Sequence, residues 1–141
     1  MSQQYKHSEI TEKIIAAFYA VYNSLGYGFL ERVYAAALAI ELRKEGLDVQ
    51  REVAIPVYYE GQIVGQYFAD IVVERLVIVE TKAVRELLAE HEAQLLNYPK
   101  ATAYEVGLLL NFGPKPQVTR KAYDNSRKGT LRWTEAAKGS V

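Results

Sequence analysis

Two short apolar runs in the middle of the chain, residues 68–73 and 76–79, constrain its fold most. They are rich in valine and isoleucine, and Glu74-Arg75 lies in the short connection between them. That pattern predicts neighbouring strands over residues 63–73 and 76–82. Both strands carry charge where burial is costly. Asp70 interrupts the first run, and Glu80 and Lys82 close the second. A buried carboxylate is expensive unless it is paired or bound to a cation. Two acids and a lysine converging on one sheet therefore point to a metal-dependent active site.

The surrounding pattern places these strands in a larger architecture. Residues 9–24 have Ile10, Ile14, Phe18 and Val21 at helical spacing, with Leu25 continuing it and Ser8 as the expected N-cap. Glycines at 26 and 28 break that helix. A second helix is expected from about Leu30 to Glu45, with Leu30, Val33, Tyr34, Ala37 and Leu38 on its apolar face and Gly46 ending it. Residues 49–60 alternate as a strand, and Glu60-Gly61 turns the chain. Residues 87–98 read as a third helix that stops at Pro99. Residues 104–112 form a continuous apolar strand, Gly113-Pro114 a turn, and residues 118–123 a last short strand. Three consecutive strands pair as an antiparallel meander. The run after the helical crossover is apolar on both faces, as a buried parallel strand would be. The expected fold class is α/β (α+β), a central mixed β-sheet flanked by helices.

At 141 residues the chain reads as a single domain, residues 1–141. Cysteine is absent and there are two histidines, His7 and His91, far apart. Thiolate zinc sites are excluded, and any metal would be held by oxygen ligands. No apolar run reaches the roughly 18 residues of a membrane helix, and no leader is visible, so a cytoplasmic location without membrane contact is expected. Net charge is zero but unevenly spread. Residues 115–141 hold seven basic and two acidic residues, a net of +5, leaving −5 on the rest. This basic segment reads either as a solvated tail or as a strip that holds phosphates near an acidic site.

Within a strand, residues two apart share a face. Glu80 and Lys82 therefore project together, while Thr81 faces the other way. A hairpin centred near Arg75 sets Asp70 roughly opposite Glu80, where cross-strand Cβ atoms lie about 4.5–5.5 Å apart. Two carboxylates at that distance can share one divalent ion, with Mg²⁺ the natural choice.

These residues resemble the GxxExxY family of the PD-(D/E)XK nuclease superfamily. The naming motif stands as Gly28-Phe29-Leu30-Glu31-Arg32-Val33-Tyr34. The superfamily motif stands as Asp70 followed by Glu80-Thr81-Lys82, and Gln94-Leu95-Leu96-Asn97-Tyr98 looks like the QxxxY motif of the RecB-like branch. The resemblance spans about residues 8–123, leaving 124–141 as a basic tail. It implies a restriction-endonuclease-like core and hydrolysis of phosphodiester bonds with Mg²⁺ or Mn²⁺, with DNA ahead of RNA as the nucleic-acid partner. Asp70 and Glu80 would ligate metal, with the Thr81 carbonyl a third ligand, and Lys82 would be the catalytic lysine. Glu31 would complete the site. Gln94 and Tyr98 would line it and contact substrate, with Tyr34 standing between core packing and substrate contact. Where many relatives carry a histidine before the Leu-Gly of the loop, this chain has Tyr22. A homodimer stands as a hypothesis, since a small nuclease often gains contact surface by pairing. The rival reading is a catalytically silent module that keeps the fold and binds nucleic acid or a protein.

Overall fold

A computed structural model of the protein describes residues 6–128. Arg132, Glu135 and Lys138 of the basic tail lie outside the described residues. The elements run α1 (Ser8–Leu25), α2 (Glu31–Lys44), β1 (Val49–Tyr59), β2 (Gln62–Val73), β3 (Val77–Lys82), α3 (Ala89–Ala101), β4 (Val106–Phe112), β5 (Pro116–Ala122) and a short 3₁₀ turn at Asn125–Arg127. The sheet order is β1-β2-β3-β4-β5. β3 and β4 are parallel, joined through α3, and the other neighbours are antiparallel. The mixed sheet flanked by helices is the expected one. β4 is buried along its whole length, as an interior strand covered on both faces requires.

Alternation along the strands sends two sets of side chains to opposite faces. Val49, Ile71, Val73, Val77, Val79, Val106, Leu108, Leu110 and Phe112 pack under α1 and α2. From those helices Ile14, Phe18, Val21, Tyr34, Leu38 and Leu42 complete the larger core. Its centre is aromatic: Tyr34 stacks on Phe112 at 4.3 Å between centroids, and Phe18 meets Phe112 edge-on at 4.7 Å. On the other face Ile55, Ala69, Val72 and Ile78 form a smaller cluster with the half-buried Tyr67, Tyr98 and Tyr104.

Local details depart from the sequence reading in three places. Ser8 is the first residue of α1 rather than its cap. His7, at φ 57°, takes the cap position and offers its carbonyl to the Ile10 and Thr11 amides. In α2, Leu30 and Val33 are exposed, and Tyr34, Ala35, Leu38, Ala39 and Leu42 form the buried stripe. The helix starts at Glu31, and its contact with the sheet follows the 34/38/42 side. Pro99 lies inside α3, which continues to Ala101. A proline costs a helix the bond its missing N–H would make, and here that loss falls in the last turn. The Thr102 hydroxyl then donates to the Tyr98 carbonyl at 2.5 Å where the helix stops.

Candidate active site

The β2–β3 ladder is short. Its last register pair on the side away from the hairpin is Ile71 with Val79. One step further the backbones separate, and the side chain of Asp70 takes over the pairing. Its Oδ2 accepts the Thr81 amide at 2.9 Å and the Thr81 hydroxyl at 3.1 Å. A carboxylate thus stands where the next strand would offer a carbonyl. Thr81 itself is buried, so these two bonds hold Asp70 firmly.

The same point marks a switch of face. Ala69 faces the α3 side and Ile71 the α1/α2 side, although they are two residues apart. On β1, Arg51 pairs with Ile71 and Val53 with Ala69, while Glu52 between them adopts φ 51°. A glutamate in the left-handed region is strained, and such strain concentrates at functional sites.

Glu80 is the most perturbed acid in the region. Its carboxyl is raised to about 9, with burial the largest cause. Within that rise the neighbouring Asp70 acts in the same direction, Lys82 opposes it, and Glu31 adds the smallest upward push. Its Oε1 is buried without a hydrogen-bond partner among the described residues. A buried carboxylate oxygen with no donor calls for a proton or a cation. This fits an oxygen-ligated divalent ion shared with Asp70. Among the described residues, however, no three His, Cys, Asp or Glu side chains form a group that could hold a metal. Two carboxylates with waters are still within what Mg²⁺ accepts.

The candidate residues fall on either side of β3. Glu31, Asp70 and Thr81 line one cavity together with Arg32, Ala35, Arg51 and Glu52. Glu80 and Lys82 line another with His91, Gln94, Leu95, Tyr98 and Leu109. Glu80 and Lys82 therefore share a side, as their spacing requires, and Gln94 and Tyr98 join them from α3. Tyr98 stacks on Tyr67 at 4.0 Å and 15°. Burial raises the Tyr98 hydroxyl, and the Glu80 and Asp70 charges raise it further. His91 serves its own helix: Nδ1 accepts the Leu88 amide at 2.9 Å.

Tyr34 goes elsewhere. It is fully buried in the core, and its hydroxyl donates to the Gly26 carbonyl at 2.6 Å while accepting the Phe29 amide at 3.2 Å. That placement gives it no surface for substrate and makes it the brace of the loop preceding Glu31. Tyr22 likewise points its hydroxyl at the Gly113 and Pro114 carbonyls. Three described cations of the basic segment are also engaged away from Asp70 and Glu80. Lys121 pairs with Glu92, Arg120 donates to the Lys6 carbonyl, and buried Lys128 donates to Thr102, Tyr104 and Asn125.

Several residues near the site carried no motif signal. Asn111, fully buried, accepts the Val84 amide and donates to the Val84 carbonyl and the Gln117 side chain. Gln117 also accepts the Leu87 amide. Together they pin the loop that leaves Lys82. Gly113 is required beside that loop, because a Cβ there would overlap the Val84 carbonyl oxygen. Tyr67, Arg32, Arg51 and Glu52 complete the surroundings. Only a correct β1–β2 register would have drawn attention to Arg51 and Glu52.

The profile of the PD-(D/E)XK nuclease superfamily matches residues 8–121. No curated protein matches the chain. Solved structures that share the fold include two at low identity. SSO0001 is 21% identical with a TM-score of 0.51, covering 94% of this chain and 67% of that one. An alkaline exonuclease, LHK-Exo from Laribacter hongkongensis, is 13% identical with a TM-score of 0.50, covering 98% of this chain and 79% of that one.

Proposed function

The chain belongs to the PD-(D/E)XK nuclease superfamily, and from that membership we propose that it hydrolyses phosphodiester bonds with Mg²⁺ or Mn²⁺, taking DNA ahead of RNA. The observation that carries this reading is Glu80, whose Oε1 is buried without a partner among the described residues and whose carboxyl feels the charges of both Asp70 and Lys82. Asp70 and Glu80 would hold the ion, with the Thr81 carbonyl as a third ligand. When bound, the ion lowers the pKa of a coordinated water and neutralises charge on the phosphate.

The chain's own residues supply the rest. Thr81 fixes Asp70 through two hydrogen bonds, so one carboxylate oxygen is oriented before anything binds. Lys82, which makes no ion pair among the described residues, is available to hydrogen-bond the attacking water or a non-bridging phosphoryl oxygen. Glu31 enters from the first turn of α2 and adds negative charge that Glu80 senses. Gln94 and Tyr98 present one helix face to a strand lying over Glu80 and Lys82.

Purified protein assayed on single- and double-stranded DNA and on RNA, with Mg²⁺ and with EDTA, tests the reading. Cleavage dependent on the ion is expected, with DNA cut faster. Glu80→Ala and Lys82→Ala should each lower the rate by about 10²–10³-fold, the usual loss for one charge-stabilising group. Equal rates in parent and variants would remove the assignment. The rival, a silent module that binds nucleic acid or a protein, draws on the zero net charge and on the lack, among the described residues, of a third clustered ligand. It predicts no rise in melting temperature with Mn²⁺, whereas a true site stabilises the fold by mass action. Pairing into a homodimer is tested by light scattering, and a monomer alone would discard it. Among the described residues no helix is long and apolar enough to cross a membrane.

A further inference from the structure

We propose that Arg32 and Arg51 form a phosphate-binding subsite beside Asp70, taking a phosphate of the nucleic-acid strand. The proposal rests on the nuclease reading and says where the substrate's charge is gripped. The two arginines come from different elements, the first turn of α2 and the start of β1. They line one cavity of about 210 Å³ together with Glu31, Asp70 and Thr81. Arg51 pairs across the sheet with Ile71, which packs toward α1 and α2. Cross-strand partners share a face, so Arg51 projects to the side on which Arg32 sits. The cavity is large enough to admit a phosphate group with its waters.

What separates these arginines from other surface cations without a partner among the described residues, Arg85 included, is that both line one cavity with Asp70. Arg43 donates to the Val49 carbonyl, Arg75 pairs with Asp48, Arg120 donates to the Lys6 carbonyl, and Arg127 lies over the Tyr123 ring. Arg32 and Arg51 make no hydrogen bond or ion pair among the described residues, although Glu31 and Glu52 line the same cavity. A guanidinium offers a planar fork of donors matched to a phosphate's paired oxygens. The described cations of β5 and the segment after it, Arg120, Lys121, Arg127 and Lys128, have partners elsewhere. Without Arg32 and Arg51, a polyanion approaching Asp70 would meet Glu31 and Glu52 with little local compensation.

A binding experiment tests this separately from cleavage. Fluorescence anisotropy of labelled single-stranded oligonucleotides is measured in EDTA and in Ca²⁺, across a salt series. Three probes are compared: a 5′-phosphorylated linear strand, the same strand with a 5′-hydroxyl, and a circular strand without ends. Arg32→Ala and Arg51→Ala should each weaken binding at least about tenfold, the effect of losing one charge-assisted hydrogen bond. Each should also lower the slope of log K against log salt by about one. Arg→Lys at both positions should recover the slope and only part of the affinity. Lys44→Ala, remote on α2 and paired with Glu41, should move neither. A loss confined to the phosphorylated strand places a terminal phosphate in the subsite, and an equal loss on all three places a backbone phosphodiester there. If the parent binds or cleaves and both alanine variants match it, the subsite is wrong and the nuclease reading stands. If the parent neither binds nor cleaves any probe, both fall.

Discussion

The two faces of the sheet use the same apolar strands but treat their buried polar atoms differently. Under α1 and α2 the Tyr34 hydroxyl has a donor and an acceptor, and the side chains around it are fully buried. Under α3 the Tyr67 hydroxyl and Glu80 Oε1 are buried with no partner among the described residues. The first face is large and satisfied. The second is small, aromatic and left electrostatically incomplete. Partnered and unpartnered buried groups among the described residues thus fall on different faces, and the strained switch at Glu52 and Asp70 lies where β2 changes from one face to the other.

The largest effect on stability should come from the satisfied face. Phe18→Ala removes a fully buried ring that touches Phe112 edge-on. Denaturant unfolding should show a loss of about 3–5 kcal/mol. A loss under 1 kcal/mol would mean that α1 is not part of the principal core.

The next effect, counted per pH unit, belongs to the incomplete face. The Glu80 carboxyl is raised from 4.5 to about 9 in the fold, with burial as the main cause. The native protein therefore keeps a proton that the unfolded chain releases near 4.5. This contribution is complete below pH 4.5 and is lost as pH rises toward 9. In EDTA the stability attributable to Glu80 should fall across that window, by no more than about 1.4 kcal/mol per pH unit. Glu80→Gln, which holds its hydrogen at every pH, should flatten the profile between pH 5 and 9. An unchanged slope would show that Glu80 is ionised and solvated instead.

Tyr34→Phe tests the satisfied face with a single atom. It leaves the stack on Phe112 and strips the partner from the Gly26 carbonyl and the Phe29 amide. A cost of about 1–2 kcal/mol is expected in thermal or denaturant melts. A silent substitution would mean that water takes over both groups without penalty.

Much of this division was readable in the chain, for physical reasons that also explain the gaps. The period of two put Glu80 and Lys82 on one side and Thr81 on the other, and an apolar run after a helix announced the parallel β4. Both signals arise from burial, which selects residue type directly. The face switch had no such signal. A left-handed Glu52 and a carboxylate replacing a carbonyl at Thr81 are imposed by the sheet, and neither residue type advertises it. The apolar stripe of α2 was misjudged at Leu30 and Val33, because composition does not say where the helix begins. Asn111 and Gln117 escaped notice because a buried amide is recognised by its partners, here the loop after Lys82. Arg32 and Arg51 come together only once α2 is docked beside the start of β1.

The smallest effect is also the most discriminating. Tyr67→Phe makes the same chemical change as Tyr34→Phe, one buried hydroxyl from one tyrosine. On the α3 side that hydroxyl has no described partner, and the ring's stacking on Tyr98 does not depend on it. Deleting a buried donor that makes no bond removes a desolvation cost and no compensating contact. The melt should therefore shift by less than about 0.5 kcal/mol, or toward greater stability, against the loss expected at Tyr34. Equal losses at both tyrosines would mean that the Tyr67 hydroxyl is satisfied in solution, and the contrast between the faces would then rest on Glu80 alone.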